Sequence, residues 1–198
     1  LGLGVKVMYN PHGWAFSMKG SKVKSWIYLM IERTLAHATD QFVMISNYEK
    51  MLAVQRHVGK ANRMKVIFNG VDTENIRKTA ALSMISRRDV GIPEDAYVIG
   101  MVGRISPQKA PDVFVRMAAE VVKKIPKAWF VIVGDGEQRE EIFALAEQLG
   151  IADRLTITGW TENPIDYMKL FDQAVLLSRW EGFGLVLAEY MTLEKPIV

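Results

Sequence analysis

Cysteine is absent from this sequence, which excludes disulfides, thiolate metal sites and cysteine nucleophiles. No apolar run reaches the roughly eighteen residues that a membrane span needs, and no basic stretch followed by an apolar one marks a signal peptide. The sequence contains neither an Asp-x-Asp motif nor a Walker-type phosphate loop. We therefore expect a cytoplasmic protein whose chemistry uses groups other than thiols.

The charge is distributed unevenly along the 198 residues, which are 49% hydrophobic and can bury the core of one large or two small domains. Residues 1–80 carry twelve Lys and Arg against five Asp and Glu, whereas residues 81–198 carry thirteen against seventeen. This asymmetry indicates either two domains with different partners or solvated faces that simply differ. The basic residues are scattered and no reader motif occurs, so we expect no nucleic-acid partner.

Strand and helix patterns alternate along the chain and predict an α/β fold with mainly parallel sheets. In the N-terminal half, Ser46-Asn-Tyr-Glu49 resembles a capping box, and Asn69-Gly70 indicates a tight turn. The polar stretch 73–95 predicts a connecting helix and a linker, with a domain boundary near residue 90. Strands are expected at 5–9, 41–45, 64–68, 97–102, 129–133, 155–158 and 174–177, and helices at 21–38, 46–59, 112–125, 137–149, 164–171 and 184–191. The helix at 21–38 carries one apolar stripe, formed by Val23, Ile27, Met30, Ile31 and Leu35.

In a doubly wound sheet the loops that follow the strands bind ligands. The loop Gly103-Arg104-Ile-Ser-Pro-Gln-Lys109 supplies a glycine and two cations, which suit a diphosphate, although a basic surface loop would look the same. Gly134-Asp-Gly136 follows the next strand, where its glycines serve either a ligand or close packing. Trp160 either contacts a nucleobase or packs in the core.

The last loop is the most informative of these. A strand leads into Ser178-Arg-Trp-Glu181, the glycines at 182 and 184 make an unobstructed turn, and a helix begins with its free amides directed at that turn. An anion is expected there. Glu181 and Glu189 lie on either side of that position, where their carboxylates can accept hydrogen bonds from sugar and ribose hydroxyls.

In this order and spacing, the motifs resemble retaining glycosyltransferases of family 4, which have the GT-B fold. The matching segments are Gly103-Arg104 with Lys109, Gly134-Asp-Gly136 and Glu181-Gly-Phe-Gly-Leu-Val-Leu-Ala-Glu189, together with the N-terminal Pro11-His12-Gly13-Trp14, Ile45-Ser46 and Ile67-Phe-Asn-Gly-Val-Asp72. The resemblance covers nearly the whole chain. It implies a GT-B-like α/β fold of two Rossmann-like βα units with mainly parallel sheets. Residues 1–90 would form part of the acceptor-side unit and the linker, and residues 91–198 the donor-binding unit. Relative to the usual enzyme, both ends are incomplete.

The resemblance also implies roles for individual residues. Arg104 and Lys109 would neutralise the donor diphosphate, and Glu189 would bind the ribose hydroxyls. Glu181 and His12 would act at the transferred sugar, His12 from the opposite domain. Further donor contacts would come from Gly103, Gly134, Trp160, Gly182, Phe183, Gly184 and Leu185. The donor would be a UDP- or GDP-sugar, and neither a metal nor a cofactor is expected, because cations and a helix terminus neutralise the leaving group.

The leading hypothesis is a retaining hexosyltransferase of polysaccharide biosynthesis that acts on a saccharide or lipid-linked acceptor. A non-catalytic nucleotide-sugar-binding module, or a subunit that completes its site by association, is the alternative, and a nucleotide-sugar epimerase is a third. Lys19, Lys22 and Lys24 lead into a helix bearing Trp26 and Tyr28, which suggests a peripheral contact with the inner membrane face. His37 and His57 are expected to be structural or solvated.

Overall fold

The computed structural model describes residues 4–17 and 21–198. It divides into two compact units, one formed by Leu1–Gly70 with Glu181–Phe183 and the other by Val71–Trp180 with Gly184–Val198. The division falls after Gly70, earlier in the chain than the boundary that we expect near residue 90 from the sequence. Lys19 of the proposed lipid contact lies outside the described residues.

The first unit contains a three-stranded parallel sheet in the order β1-β2-β3. Its strands are β1 (Met8–Tyr9), β2 (Gln41–Met44) and β3 (Met64–Val66), and its helices are α1 (Lys22–Ala38) and α2 (Asn47–Gln55). The expected strands at 5–9 and 64–68 are therefore shorter than predicted. The tight turn expected at Asn69-Gly70 is not observed. Residues 67–72 have no regular structure, and Gly70 does not adopt a positive φ.

Helix α2 begins as predicted and ends early. The Ser46 hydroxyl accepts a hydrogen bond from the Glu49 amide at 3.1 Å, which satisfies one of the free amides at the helix start. The helix stops at Gln55 because His57 and Gly59 take left-handed conformations, with φ of 54° and 74°. At Gly59 any side chain would also meet the Phe42 ring, since an added Cβ would lie 2.8 Å from it. The chain therefore turns towards β3 before the expected end near residue 59.

Helix α1 begins one residue later than predicted and ends where predicted, but its apolar stripe is not the side that packs against the sheet. Leu29, Glu32 and Ala36 are buried, whereas most of the predicted stripe is exposed, namely Val23, Ile27, Ile31 and Leu35. The core of the first unit gathers around Trp14, Phe16, Leu29, Phe42, Met44 and Val58. The pattern predicted the helix correctly without identifying the face that this unit buries.

The second unit contains a four-stranded parallel sheet in the order β6-β5-β4-β7. Its strands are β4 (Tyr97–Val102), β5 (Ala128–Val133), β6 (Leu155–Ile157) and β7 (Gln173–Ala174). Its helices are α3 (Thr73–Leu82), α4 (Pro111–Lys124), α5 (Arg139–Gln148), α6 (Ile165–Met168) and α7 (Leu185–Thr192). Strand β7 is shorter than the expected 174–177, although Ile197 adds a parallel bridge to Ala174. The alternation and the parallel pairing are as predicted.

Two buried clusters form the core of this unit. One, which includes Phe114, Phe130, Ile132 and Ile142, packs α4 and α5 on the sheet. The other brings Ile76 of α3 against Val98, Met168, Phe171 and Tyr190. Because the apolar side of α3 packs in this second cluster, the helix belongs to the compact second unit, which explains why the structural division precedes α3.

The linker after α3 is held against the sheet of the second unit by the hydrogen bonds and the ion pair of Arg87. Arg87 donates to the Asp172 carboxylate at 2.8 Å and to the Ala96 carbonyl at 2.8 Å, and Asp172 also accepts from the Val98 amide at 2.8 Å. Lys195 donates to the Phe171 carbonyl at 2.7 Å. These bonds hold the start of β4 and the start of β7 in register.

In the part of the chain that the structure describes, no helix combines the length and the apolar character needed to cross a membrane.

Candidate donor-binding site

The loops after β4 and β5 are joined backbone to backbone. The Gly103 amide donates to the Val133 carbonyl at 3.0 Å, and the Ile105 amide to the Asp135 carbonyl at 2.9 Å. The Gln138 amide returns a bond to the Ile105 carbonyl at 3.2 Å. The two loops thus extend the pairing of their strands and form one rigid edge at the carboxyl end of the sheet.

The glycines at 134 and 136 permit this close approach. A Cβ atom on Gly134 would lie 2.2 Å from the Gly103 carbonyl oxygen, and one on Gly136 would lie 2.3 Å from that of Ile105. Gly134 also has a φ of 141°, which L side chains rarely adopt. The packing explanation of this motif therefore has a direct structural basis, and a contact of Gly134 with the donor stays a prediction.

Arg104 and Lys109 both belong to this edge. Arg104 is exposed, and its Nε donates to the Glu137 carboxylate at 3.1 Å. Lys109 is half-buried, and the carbon chain of its side chain lies over Gly103, within 3.3 Å of where a Cβ would stand. The Lys109 amide closes the loop on the Ser106 carbonyl at 3.0 Å. One loop therefore carries two cationic side chains next to Gly103, which has no side chain of its own.

A second set of bonds fixes this loop to residues 178–180, and the sequence analysis missed it. Arg179 donates from its backbone amide to the Gln108 carbonyl at 2.8 Å and from its guanidinium to the Asp112 carboxylate at 2.6 Å. The Gln108 side chain donates to the Trp180 carbonyl at 3.1 Å. Burial alone raises the pKa of Asp112, but the hydrogen bond and charge of Arg179 outweigh it and hold that pKa below its usual value. The signal available in the sequence was an arginine and an aspartate in two strand-following loops.

Helix α7 begins without a side-chain cap. Gly184, at its N-cap, has φ 71° and ψ 65°, a left-handed conformation that glycine adopts without strain. The first turn contains no acidic residue that would offset the positive end of the helix. An anion at this helix start stays a prediction. Leu185, the first helical residue, is exposed.

Glu189 lies one turn into α7 and is half-buried. Burial raises the pKa of its carboxyl. Within residues 4–17 and 21–198, its carboxylate makes no hydrogen bond or ion pair. A partly desolvated carboxylate with a raised pKa and no partner among the described residues is a candidate ligand contact.

Tyr190 connects this helix to the sheet. It is fully buried, and its hydroxyl accepts a hydrogen bond from the Val102 amide at 2.8 Å, directly before Gly103. Burial is the main cause that raises the pKa of Tyr190. The side chain next to Glu189 thus fixes the start of the 103–109 loop, and the sequence analysis had not singled it out.

Trp160 follows β6 and is exposed to 74%. It does not pack in the core, which removes the structural alternative weighed in the sequence analysis. The adjacent Gly159 bridges to Gly134, so the indole belongs to the same edge of the sheet.

The other predicted residues fall in the first unit. His12 follows β1 and is exposed, as is Glu181, whereas the neighbouring Trp14 is buried and donates to the Glu49 carbonyl at 3.1 Å. Phe183 is partly exposed. A Cβ on Gly182 would lie 2.7 Å from the His12 carbonyl oxygen, which explains the need for glycine there. The catalytic roles of His12 and Glu181 stay predictions.

Among the residues that the structure describes, no three His, Asp or Glu side chains converge in a way that could hold a metal ion.

Parallel sheets, loops joined at their carboxyl ends and an uncapped helix facing those loops define the class: an α/β protein with the GT-B fold. The model for "Glycosyl transferases group 1" matches residues 84–198, and the model for "Glycosyltransferase Family 4" matches residues 1–75. Since the first match alone covers more than half of the chain, the protein belongs to the group 1 glycosyl transferases.

Individual relatives agree with this assignment. The chain is 29% identical to the Escherichia coli UDP-Gal:alpha-D-GlcNAc-diphosphoundecaprenol alpha-1,3-galactosyltransferase over 97% of its own length and 50% of that protein. It is 31% identical to the Thermomonospora curvata D-inositol 3-phosphate glycosyltransferase over 98% of its length and 50% of that protein. The structure of Anabaena Alr3699/HepE in complex with UDP and glucose superposes with a TM-score of 0.79 at 23% identity, covering 97% of this chain and 52% of that one. The chain thus spans about half the length of the relatives it matches.

Proposed function

We propose that this chain supplies the donor-binding part of a glycosyltransferase that moves a hexose-type sugar from a nucleoside diphosphate to a saccharide or lipid-linked acceptor. A UDP-sugar is the first candidate, because the names of the Escherichia coli and Anabaena proteins carry UDP. The family and the fold support transfer chemistry, and the second unit supplies the candidate donor site.

One observation carries the proposal: Glu189 is half-buried and unpaired inside a helix whose amino end is uncapped. Ribose hydroxyls would provide the donors that this carboxylate lacks. The amides at the start of α7 would receive a phosphate, to which the helix dipole adds a favourable term. One short helix would then hold both the ribose and the diphosphate.

The 103–109 loop would complete the diphosphate site. Arg104 can leave its exposed ion pair with Glu137 at little cost, because such pairs contribute only about 0–1 kcal/mol. Lys109 would add a second cation. Trp160 would offer its exposed indole to the base, with stacking as the expected contact.

The mechanism that we propose is transfer with retention. The acceptor oxygen would bond to the anomeric carbon on the face from which the diphosphate departs, and the acceptor proton would pass to the departing phosphate oxygen. Arg104, Lys109 and the α7 amides would stabilise the charge that develops on this leaving group. Glu181 and His12 would contact the transferred sugar, the roles that the family resemblance implies.

Donor binding tests the proposal directly. A thermal-shift screen of UDP-, GDP- and ADP-sugars, followed by calorimetry on the best donor, should give a saturable response in the unmodified chain. Glu189→Ala and Arg104→Ala should each weaken binding about tenfold to a hundredfold, since a charge-assisted hydrogen bond contributes about 1.5–3 kcal/mol.

Matched controls separate the site from general charge effects. Glu147→Ala removes an exposed glutamate from α5, and Arg88→Ala removes an exposed arginine from an exposed ion pair with Glu94. Both variants should bind the donor as the unmodified chain does. Donor binding that survives both Glu189→Ala and Arg104→Ala would contradict the proposed site.

Turnover distinguishes an enzyme from a binding module. Because the chain spans about half the length of its relatives, a nucleotide-sugar-binding module or a subunit that completes its site by association is the second candidate. Release of nucleoside diphosphate by the chain alone would support the enzyme. Donor binding without release, restored by a second chain, would support the module.

We also propose a peripheral contact between α1 and anionic lipid. Lys22 and Lys24 begin this helix, and Trp26 and Tyr28 stand exposed beside them, so cationic and apolar groups share one surface. Lys19→Glu, Lys22→Glu and Lys24→Glu together should abolish cosedimentation with anionic vesicles. Unchanged sedimentation would remove the lipid proposal, as would self-association through this face without any vesicle binding.

A further inference from the structure

The first unit has a pocket of about 350 Å³ whose lining is strongly basic. Five of the residues that form it are Arg33, His37, His57, Lys60 and Arg63, and the others are an alanine and a glycine. They come from three segments: the last turns of α1, the turn after α2 and the residues that lead into β3. Its lining, as far as the described residues form it, includes no carboxylate.

The pocket lies at the end of the sheet where the strands begin. Arg33 and His37 lie near the end of α1, which leads into β2, and residues 57–63 lead into β3. His12, by contrast, follows the carboxyl end of β1. Because the strands of this sheet are parallel, the pocket and His12 belong to opposite edges. The pocket is therefore separate from the residues that the sequence analysis assigned to the sugar.

Two backbone carbonyls orient the arginines. Arg33 Nε donates to the Arg56 carbonyl at 2.9 Å, and an Arg63 Nη donates to the Thr39 carbonyl at 3.3 Å. A guanidinium carries five N–H donors, so most donors of both side chains remain for another acceptor. Because each arginine side chain is already held in place, a ligand that binds it has a smaller entropy cost of ordering to overcome.

No acid of the described residues pairs with these cations. Neither Arg33, Lys60 nor Arg63 forms an ion pair within residues 4–17 and 21–198. The nearby acid is Asp40, whose pKa is lowered mainly by the hydrogen bond from the Val7 amide and also by the charge of Arg63, without an ion pair to that arginine. Asp40 already accepts from the Val7 amide at 2.9 Å and from Lys6 at 3.2 Å. Like charges gathered in a concave surface repel one another, and an anion would remove that repulsion.

We propose that this pocket binds a phosphate group, either as a free phosphate or as the phosphomonoester headgroup of a lipid. Tetrahedral oxyanions match the planar forks of Arg33 and Arg63, which can each donate two parallel hydrogen bonds. Lys60 adds a mobile point charge at the rim. His37 Nδ1 already donates to the Arg33 carbonyl at 2.9 Å, a structural role as expected from the sequence, so this ring offers only its Nε2. His57 offers its ring, a binding role in place of the structural or solvated one that we expect.

Binding of inorganic phosphate to the full chain tests the proposal, with titration by calorimetry and ³¹P line broadening. The chain should carry Arg104→Gln and Lys109→Gln, so that the donor loop does not contribute. We expect saturable binding of one phosphate. Lys60→Gln, or Arg33→Gln with Arg63→Gln, should weaken it at least about tenfold.

Lys65→Gln is the matched control for Lys60→Gln, because it removes the same charge from an exposed lysine of β3 outside the pocket. Among the described residues, the Lys60 side chain has no hydrogen-bond partner, so we expect its variant to keep the fold even where the arginine variants do not. Equal phosphate affinity in Lys60→Gln and Lys65→Gln would overturn the proposal. Binding that disappears in the donor-loop background would do the same, whatever the outcome of the donor screen.

Two further arms identify the source of the phosphate. Vesicles containing phosphatidic acid are compared with neutral vesicles in a Lys22→Gln, Lys24→Gln background, which removes the charge at the start of α1. Vesicle binding that excess phosphate displaces and Lys60→Gln abolishes would assign the site to lipid headgroups. Saturable phosphate binding without vesicle binding would assign it to a small soluble phosphate.

Discussion

The two units treat their carboxylates differently. In the second unit, Asp112 and Asp172 each meet an arginine within hydrogen-bond distance. In the first unit, Glu32 and Glu49 are only 9% and 7% exposed, yet no cation of the described residues meets them. Glu32 accepts a bond from the Tyr9 hydroxyl at 3.1 Å, and one oxygen of each glutamate is buried without a partner in the described part of the chain. The cost of burying charge is offset in one unit and left unmet in the other.

Glu189 is the exception that makes this comparison informative. Its carboxylate is half-buried and meets no cation among the described residues, and it is also the residue to which the family resemblance gives the ribose. A half-buried acid left open beside the paired Asp112 and Asp172 is consistent with a ligand that completes it. The comparison therefore separates a carboxylate suited to binding from those that hold the fold.

Helices α4 and α1 also differ in how completely they bury their apolar side chains. The buried side of α4 includes Phe114, Val115 and Ala118, and it packs on the sheet. Helix α1 keeps Trp26 and Leu35 exposed. Helix α4 thus buries more of its apolar side chains than α1 does, and we expect mutations of its buried side to cost more.

The largest effect is expected where the second unit joins its loops. Gly134→Ala would force a Cβ against the Gly103 carbonyl at a backbone angle that alanine disfavours. We expect a loss of more than about 2 kcal/mol in the free energy of unfolding, measured by urea denaturation, together with loss of donor binding. Gly70→Ala of the first unit, with nothing within 4 Å and no positive φ, should change stability by less than about 0.5 kcal/mol. Equal losses of stability in Gly134→Ala and Gly70→Ala would show that the loops after β4 and β5 can move apart without cost.

A smaller effect is expected at the bond between α7 and β4. Tyr190→Phe leaves the Val102 amide without its acceptor, which should cost about 1–3 kcal/mol in thermal or chemical unfolding. Because the bond lies between Glu189 and Gly103, donor affinity should fall as well. The control is Tyr167→Phe, whose hydroxyl has no partner within the described ranges 4–17 and 21–198. Weakened donor affinity in both variants would mean that Tyr190 acts only through general stability.

The smallest expected effect is a gain in thermal stability when a buried glutamate of the first unit is replaced. Burial raises the pKa of Glu49, so folding favours its protonated form. A raised pKa contributes stability below the pKa of the unfolded chain, and that contribution is lost as the pH rises through the higher folded value. Glu49→Gln, which stays neutral, should therefore raise the Tm slightly at pH 7 and have a smaller effect near pH 4. Exposed Glu147→Gln should change the Tm at neither pH, and a pH-independent effect of Glu49→Gln would contradict the assignment to burial.

Much of the fold follows from local patterns. Strand β4 matches its predicted bounds, and α1 differs by a single residue, because apolar runs and caps are local signals. The structure limits β1 and β7 to two residues each, since the length of a strand depends on how far its neighbour pairs. The early end of α2 depends on the left-handed conformation of His57, and no sequence pattern predicts that conformation for a histidine.

The loops of the candidate donor site could be identified in the sequence for a different reason. Gly103, Arg104 and Lys109 are close in sequence, and the topology of a parallel sheet places strand-following loops at one edge. The roles of Arg179 and Tyr190 were not identifiable, because each acts on a loop far away in the chain. The basic pocket was missed for the same reason, since its residues are scattered from 33 to 63.

The sequence by itself determined the elements, the parallel α/β class, the family and the loops that carry glycine, arginine, lysine and glutamate. These depend on periodicity and on short motifs, which neighbouring residues encode. Only the tertiary structure decided which side of α1 is buried, that the glycines at 134 and 136 serve loop packing, and that Glu189 stays unpaired while Asp112 does not. Burial and pairing depend on contacts between distant segments, and a local pattern does not encode those contacts.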